Sequence, residues 1–206
     1  MRIIFLSFFS IFFYVFLNTT FSQEQDTIKL VREFVPKSEE LLDYYRFEGI
    51  DYLKIKAKGR KLADKNILII SREYWNKKVT RIDTCVNTAK LGITAGANEL
   101  NISVMTKKED KDSIKFVFFF PRFYTTKFFK SLKGGNYSLR DPFNGKEQSF
   151  STKEQIMLLV HSLPYQDPKN PGFSSYCELS SKGVPPPQWG EKYGVEHYIT
   201  FEIQFE

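Results

Sequence analysis

The residues best suited to chemistry are few: two histidines, His161 and His197, and two cysteines, Cys85 and Cys177. Imidazole and thiolate are the usual ligands of zinc and the usual partners in a nucleophile–base pair. A zinc centre would need all four to converge from distant places, and no two stand at finger-like or zinc-enzyme spacing. A Cys–His nucleophile pair has no better support in the spacing. The chain contains no G-x-S-x-G elbow, P-loop, dinucleotide fingerprint or H-E-x-x-H. The acidic pairs Glu39/Glu40 and Glu109/Asp110 fall at a predicted helix start and a loop tip, where helix-dipole complement and solvation account for them. No catalytic residue, metal or cofactor is therefore assigned.

The stretch PRFYTTKFFKSLK (121–133) is the most suggestive of binding. It interleaves Arg122, Lys127, Lys130 and Lys133 with Phe123, Tyr124, Phe128 and Phe129. Such interleaving binds phosphate backbones while rings stack on bases, or rests on an anionic membrane surface. The plainer reading turns the rings inward and leaves the cations in water. VPPPQWG (184–190) either presents Trp189 on a polyproline segment or uses it to cover the core. Arg122, Tyr124, Lys127, Lys130 and Trp189 are the expected ligand-contacting residues. Lys54, Lys56 and Lys58 form the basic face of a strand, which edge protection explains.

These residues must be positioned by a fold that the hydrophobic periodicity predicts as follows. TIKLVREFV (27–35) fits helix or strand. Residues 38–48 read as a short helix, with Ser38 as cap, acidic residues in the first turn and Gly49 at the C′ position. From Ile50 the period becomes two: IDYLKIKAK, NILIISREYW, VTRIDTCV and ELNISVMTKK read as strands. Residues 66–86 form one hairpin through NKK. Residues 99 to about 120 form another through EDKD. The runs ILII (67–70) and FVFFF (116–120) are apolar at successive positions, so both faces are expected to be covered, as in a central strand. Residues 126–148 read mostly as loop. Ser151 and Glu154 look like a capping box ahead of QIMLLVHSL, which predicts a helix over 152–163 covering one sheet face. Residues 164–196 are rich in proline and glycine and without period, the kind of long loop that is often functional. HYITFEIQFE closes as a half-buried strand.

The bulk properties set the context. The 206 residues carry a formal charge of +6, a modest excess that favours anionic surroundings and also serves solubility. Residues 1–22 read as a cleaved signal peptide, with Arg2 before an apolar core and Thr20 and Ser22 at the cleavage positions. That core is too short for an ordinary transmembrane helix. The product is expected to be periplasmic or extracellular, with no transmembrane span. In that compartment Cys85 and Cys177 can form one bridge. Its loop of about ninety residues would contribute about 4–5 kcal/mol in the chain-entropy model. The alternative is two buried thiols.

The expected fold is α+β: mainly antiparallel, sandwich-like β-sheet over 23–206 as one domain, with helices at about 152–163 and 38–48. The expected function is a non-catalytic binding or accessory module using the 164–196 loop and the basic–aromatic segment. Its partner is an anionic polymer, a membrane surface or another envelope protein. Two other readings stand beside it: a hydrolase whose acid and base come from separated loops, and an envelope assembly protein that pairs through a strand edge.

Overall fold

The computed structural model describes residues 27–206 apart from 35, 97 and 111; the expected leader, residues 1–22, lies outside the described residues. Strand β1 (Thr27–Phe34) leads through helix α1 (Glu39–Glu48) to β2 (Ile50–Lys58). The hairpin β3 (Ile67–Trp75) and β4 (Lys78–Asn87) follows, then a meander of β5 (Glu99–Asp110), β6 (Ser113–Phe119) and β7 (Tyr124–Lys130). Short strands β8 (Ser138–Arg140) and β9 (Gln148–Ser151) precede β10 (Ile156–Ser162). The small hairpin β11 (Tyr165–Gln166) and β12 (Ser174–Ser175) and the helices α2 (Cys177–Ser181) and α3 (Trp189–Tyr193) come before β13 (His197–Phe205).

Two antiparallel sheets face each other. Sheet A has the order β7-β6-β5-β2-β1-β9 and sheet B the order β4-β3-β13-β10-β8. Period-two alternation sends Leu53, Ile55, Val104, Phe116 and Phe118 inward from sheet A against Ile69, Ile199, Phe201 and Ile203 of sheet B. Phe201 is the hub: its ring lies 4.8 Å from Phe116 and 5.4 Å from Phe118. Local chemistry fixes the turns. Asn76 and Lys77 both have positive φ, 47° and 73°. This is the left-handed pair that a two-residue hairpin loop between Trp75 and Lys78 requires. Ser38 caps α1 and Gly49 ends it at φ 65°, as expected.

The helix expected over 152–163 is instead strand β10, in the interior of sheet B between β13 and β8. Ser151 and Glu154 make a turn, not a helix cap: the Lys153 amide donates to the Ser151 hydroxyl at 3.2 Å and the Glu154 amide to the Ser151 carbonyl at 3.1 Å. IMLLVHS has no polar face at either period. Such a run is buried on both sides, and seven residues suit a strand. The pairing slips between Met157 and Leu159, a bulge that turns two carbonyls out of the ladder. Arg32 of sheet A takes both, donating from Nε to the Leu158 carbonyl at 2.7 Å and from Nη2 to that of Met157 at 2.5 Å. The guanidinium also lies 3.6 Å from Asp141 and stacks over Phe143. A buried cation thus straps the two sheets together.

The expectation that both apolar runs are covered front and back holds on one side only. Phe116 and Phe118 are fully buried, but Val117 is half-buried and Phe119 is 38% exposed. Among the described residues the outer face of β6 is left partly exposed, at Val117 and Phe119. On sheet B, Leu68 and Ile70 are half-buried, and the cover for that outer face comes from 164–196. Leu179, Trp189 and Val195 pack there on Tyr74, Val160 and Tyr198 as a second, smaller core. Gly190 sits so close to the β3–β4 turn that a Cβ would fall 2.9 Å from the Lys77 Cα, which is what lets α3 press down. The lysine-bearing strand β2 is interior, between β1 and β5, and is not an edge. Residues 126–148, expected to be mostly loop, contribute β7 and β8.

The expected bridge is absent: Cys85 is buried on β4 and Cys177 is exposed at the start of α2. One faces the sandwich interior and the other the outer surface. Burial pushes the Cys85 thiol up to about 11. A thiol-alkylating reagent is therefore expected to label Cys177 alone in the native protein and both cysteines in denaturant. A native protein that resists labelling at both, with a mass about two units light, would restore the bridge.

Candidate functional site

One end of the sandwich interior is polar. At inward positions where the apolar alternation should continue stand Asp51 at the start of β2 and Thr106 near the end of β5, and opposite them Glu73, His161 and His197 of sheet B. Tyr137, just before β8, completes the set. A cleft of about 440 Å³ opens here between the sheets, walled by Asp51, Thr106, Tyr137, His161 and Tyr176, with Arg46, Lys107 and Lys108 among its other residues.

A chain of hydrogen bonds sets the protonation of its floor. The Leu132 amide donates to the Tyr137 hydroxyl at 3.0 Å, and that hydroxyl donates to Nδ1 of His197 at 2.5 Å. Nε2 of His197 must then carry hydrogen and donates to Glu73 at 3.3 Å. The Trp75 indole donates to the same carboxylate oxygen at 2.8 Å and stacks on His197 at 3.8 Å. Burial opposes ionisation of Glu73, but the donors His197 and Trp75 outweigh it and hold the carboxyl below its ordinary value. Burial raises Tyr137 and Tyr176 to about 12, so both remain neutral hydroxyls. Burial, with His197 second, pushes His161 down to about 3. Its neutral ring lies parallel to Tyr137 and edge-on to Phe116 at 5.0 Å. Asp51 is raised by burial, although it accepts from the Leu139 amide at 2.7 Å and faces Arg140.

Two polar atoms of this cleft have no partner within the protein: Nδ1 of His161 and Oγ1 of Thr106, both on buried residues. A buried polar group without a hydrogen bond costs about 1–3 kcal/mol, so such a pair marks a place where a ligand supplies the missing bonds. The segment 164–196 reaches the same wall. The Tyr176 hydroxyl donates to the Asn136 carbonyl at 2.5 Å, beneath the Arg140 guanidinium.

The residues that the sequence singled out for binding are dispersed. Trp189 is fully enclosed, its indole donating to the Val184 carbonyl at 3.0 Å. Arg122 lies at the opposite mouth of the sandwich, on a second cleft of about 550 Å³ beside the stacked rings of Phe120 and Phe123. Lys127 is paired to Asp83 at 3.2 Å, joining β7 to β4. Tyr124 and Lys130 are exposed on β7. The histidines do meet, through Tyr137, though not around a metal. Among the described residues no group of three or more His, Cys, Asp or Glu is placed to hold one. Asp51, Glu73, Thr106 and Tyr137 were not singled out. The available signal for three of them was a polar residue at an inward position of an otherwise apolar alternation.

Comparison with protein-family models, curated proteins and solved structures finds no match to this chain.

Proposed function

We propose that the protein is an exported, non-catalytic binding or accessory module that takes a small polar ligand into the cleft at the sandwich mouth. The observation that carries this reading is the pair of buried atoms, His161 Nδ1 and Thr106 Oγ1, that lack a protein partner. Around them stand neutral hydroxyls, a carboxyl group and aromatic rings, the mixture that orients a hydroxylated or amide-bearing small molecule. Export rests on the N-terminal sequence. Among the described residues no helix is long and apolar enough to cross a membrane.

A second reading, a hydrolase, draws on the ordered relay Glu73–His197–Tyr137, which ends at the cleft wall. Binding is preferred because Tyr137 and His161 have proton affinities driven far from neutrality in opposite directions, the reverse of what general acid–base work needs. Assembly through a strand edge has less support. The long edge strands carry Lys78, Arg81 and Asp83 on β4 and Lys127 and Lys130 on β7, charges that discourage pairing.

Thr106→Val gives a test in which stability and binding move apart. Removing an unpartnered hydroxyl is expected to leave the ligand-free protein as stable as before, or more stable by up to about 1 kcal/mol. For whichever of a panel of sugars, polyols, amino acids and short carboxylates raises the melting temperature of the native protein, calorimetry should show about tenfold weaker binding. His161→Phe should weaken it likewise. A hit whose affinity survives both substitutions lies elsewhere. A panel member that is consumed, with turnover lost in Tyr137→Phe, would transfer the case to the hydrolase.

A further inference from the structure

The two outer faces of the sandwich are treated differently by the chain. That of sheet B is covered by 164–196, whereas among the described residues that of sheet A around β6 and β7 is open. We propose that this open face docks onto an anionic phospholipid surface.

Strand register puts the exposed side chains in rows. One row runs Lys54, Ser103, Phe119, Tyr124 across β2, β5, β6 and β7. The next runs Met105, Val117, Thr126, and the third Lys107, Lys115, Phe128. Phe119, Tyr124 and Phe128 are 38%, 68% and 55% exposed, and the first two touch at 6.0 Å between ring centres. Helix α1 stands beside this face, held by Tyr45 against Tyr52 at 5.8 Å and by Glu48 on Lys107. It adds Phe47, 87% exposed. A cluster of protruding rings on a water-soluble sheet marks an interaction surface.

Charge identifies the occupant. Lys107 and Lys115 are matched by Glu48 and Glu109. Lys54, Arg122 and Lys130 border the rings with no carboxylate partner among the described residues. These three cations call for a negative counterpart, while helix α1 beside them adds Glu39, Glu40 and Asp43 against Arg46. Phe119 and Tyr124 project from the first row and Phe128 from the third, with a shallow apolar groove of about 220 Å³ along Met105, Val117 and Phe119 between them. A bilayer interface accepts such rings at headgroup depth without a complementary mould, while lysines reach the phosphates. This surface adjoins the cleft at Lys107, but Lys54, Phe119, Tyr124, Phe128 and Lys130 take no part in the cleft.

Co-sedimentation tests this with vesicles of mixed phosphatidylglycerol and phosphatidylcholine, and of phosphatidylcholine alone. The full native protein is expected to bind the mixed vesicles, and to bind less as salt is raised from about 0.1 M to about 0.5 M. Lys54→Glu with Lys130→Glu, and separately Phe119→Ser with Phe128→Ser, should each weaken binding about tenfold or more. Both pairs lie on the surface, and unchanged melting temperatures would confirm their folding. Thr106→Val should bind vesicles like the parent, which separates this surface from the cleft. Failure of the parent to bind mixed vesicles overturns the proposal, as does equal binding to neutral ones or undiminished binding by both pairs. Capture of an acidic protein with no vesicle binding would assign the face to that class instead.

Discussion

Arg32→Met is expected to destabilise the native state by about 3–5 kcal/mol, the usual consequence of removing one partner from a buried ionic contact. The side chain is fully buried and does three things at once. It satisfies the carbonyls of Met157 and Leu158, which the β10 bulge leaves outside the ladder. It neutralises the buried Asp141, whose oxygens otherwise serve the amides of Phe143 and Gly145 in the turn before β9. It also fills the space under the Phe143 ring. Methionine restores only the last of these. Burial pulls the guanidinium down to about 10, against the opposing effect of Asp141, so it stays charged at neutral pH. Urea unfolding is the measurement: the midpoint should drop with little change in slope. Arg32→Lys should recover only part of the loss, because one ammonium cannot reproduce the planar fork. A loss under about 1 kcal/mol would mean that the strap across the sheets is not a principal support.

Trp189→Ala is the second large effect, at about 3–5 kcal/mol for truncating a fully buried aromatic, and it should be local in character. The indole belongs to the smaller core on the outer face of sheet B, beside Tyr198, which stacks on Tyr74 at 4.4 Å. Tyr198 also accepts from the Gly190 amide and donates to the Pro187 carbonyl. Without the indole, residues 164–196 lose their anchor while the inter-sheet core keeps its own contacts. Hydrogen exchange should therefore accelerate across 164–196 before it does in β3 or β13. If all amides accelerate together, the two cores unfold as one unit.

The hairpins were legible because their information is local. ILII and ITFEIQF carry strand signals, and NKK carries the polar turn that takes two left-handed residues. Ser38 and Gly49 announced α1 by chemistry that acts within four residues. The error at 152–163 has a physical cause: a serine three residues before a glutamate caps a turn as readily as a helix, and a uniformly apolar run has no period to read. Trp189 shows the opposite difficulty. Its proline-rich surroundings suggest display, but burial depends on Tyr74 and Tyr198, which are remote or unmarked in sequence. The cleft was the least legible of all. Asp51, Thr106, Tyr137 and His161 belong to four different segments, and only the closing of two sheets brings them to one wall.

β13 lies between β3 and β10, matched to β3 along its whole length from His197 to Phe205, yet it is synthesised after every other strand of the sandwich. A ribosome therefore delivers the centrepiece of sheet B last, after β3 and β10, whose facing edges have no partner until it arrives. Until β13 emerges sheet B cannot close, and its unpaired strand edges are open to capture by holdase chaperones.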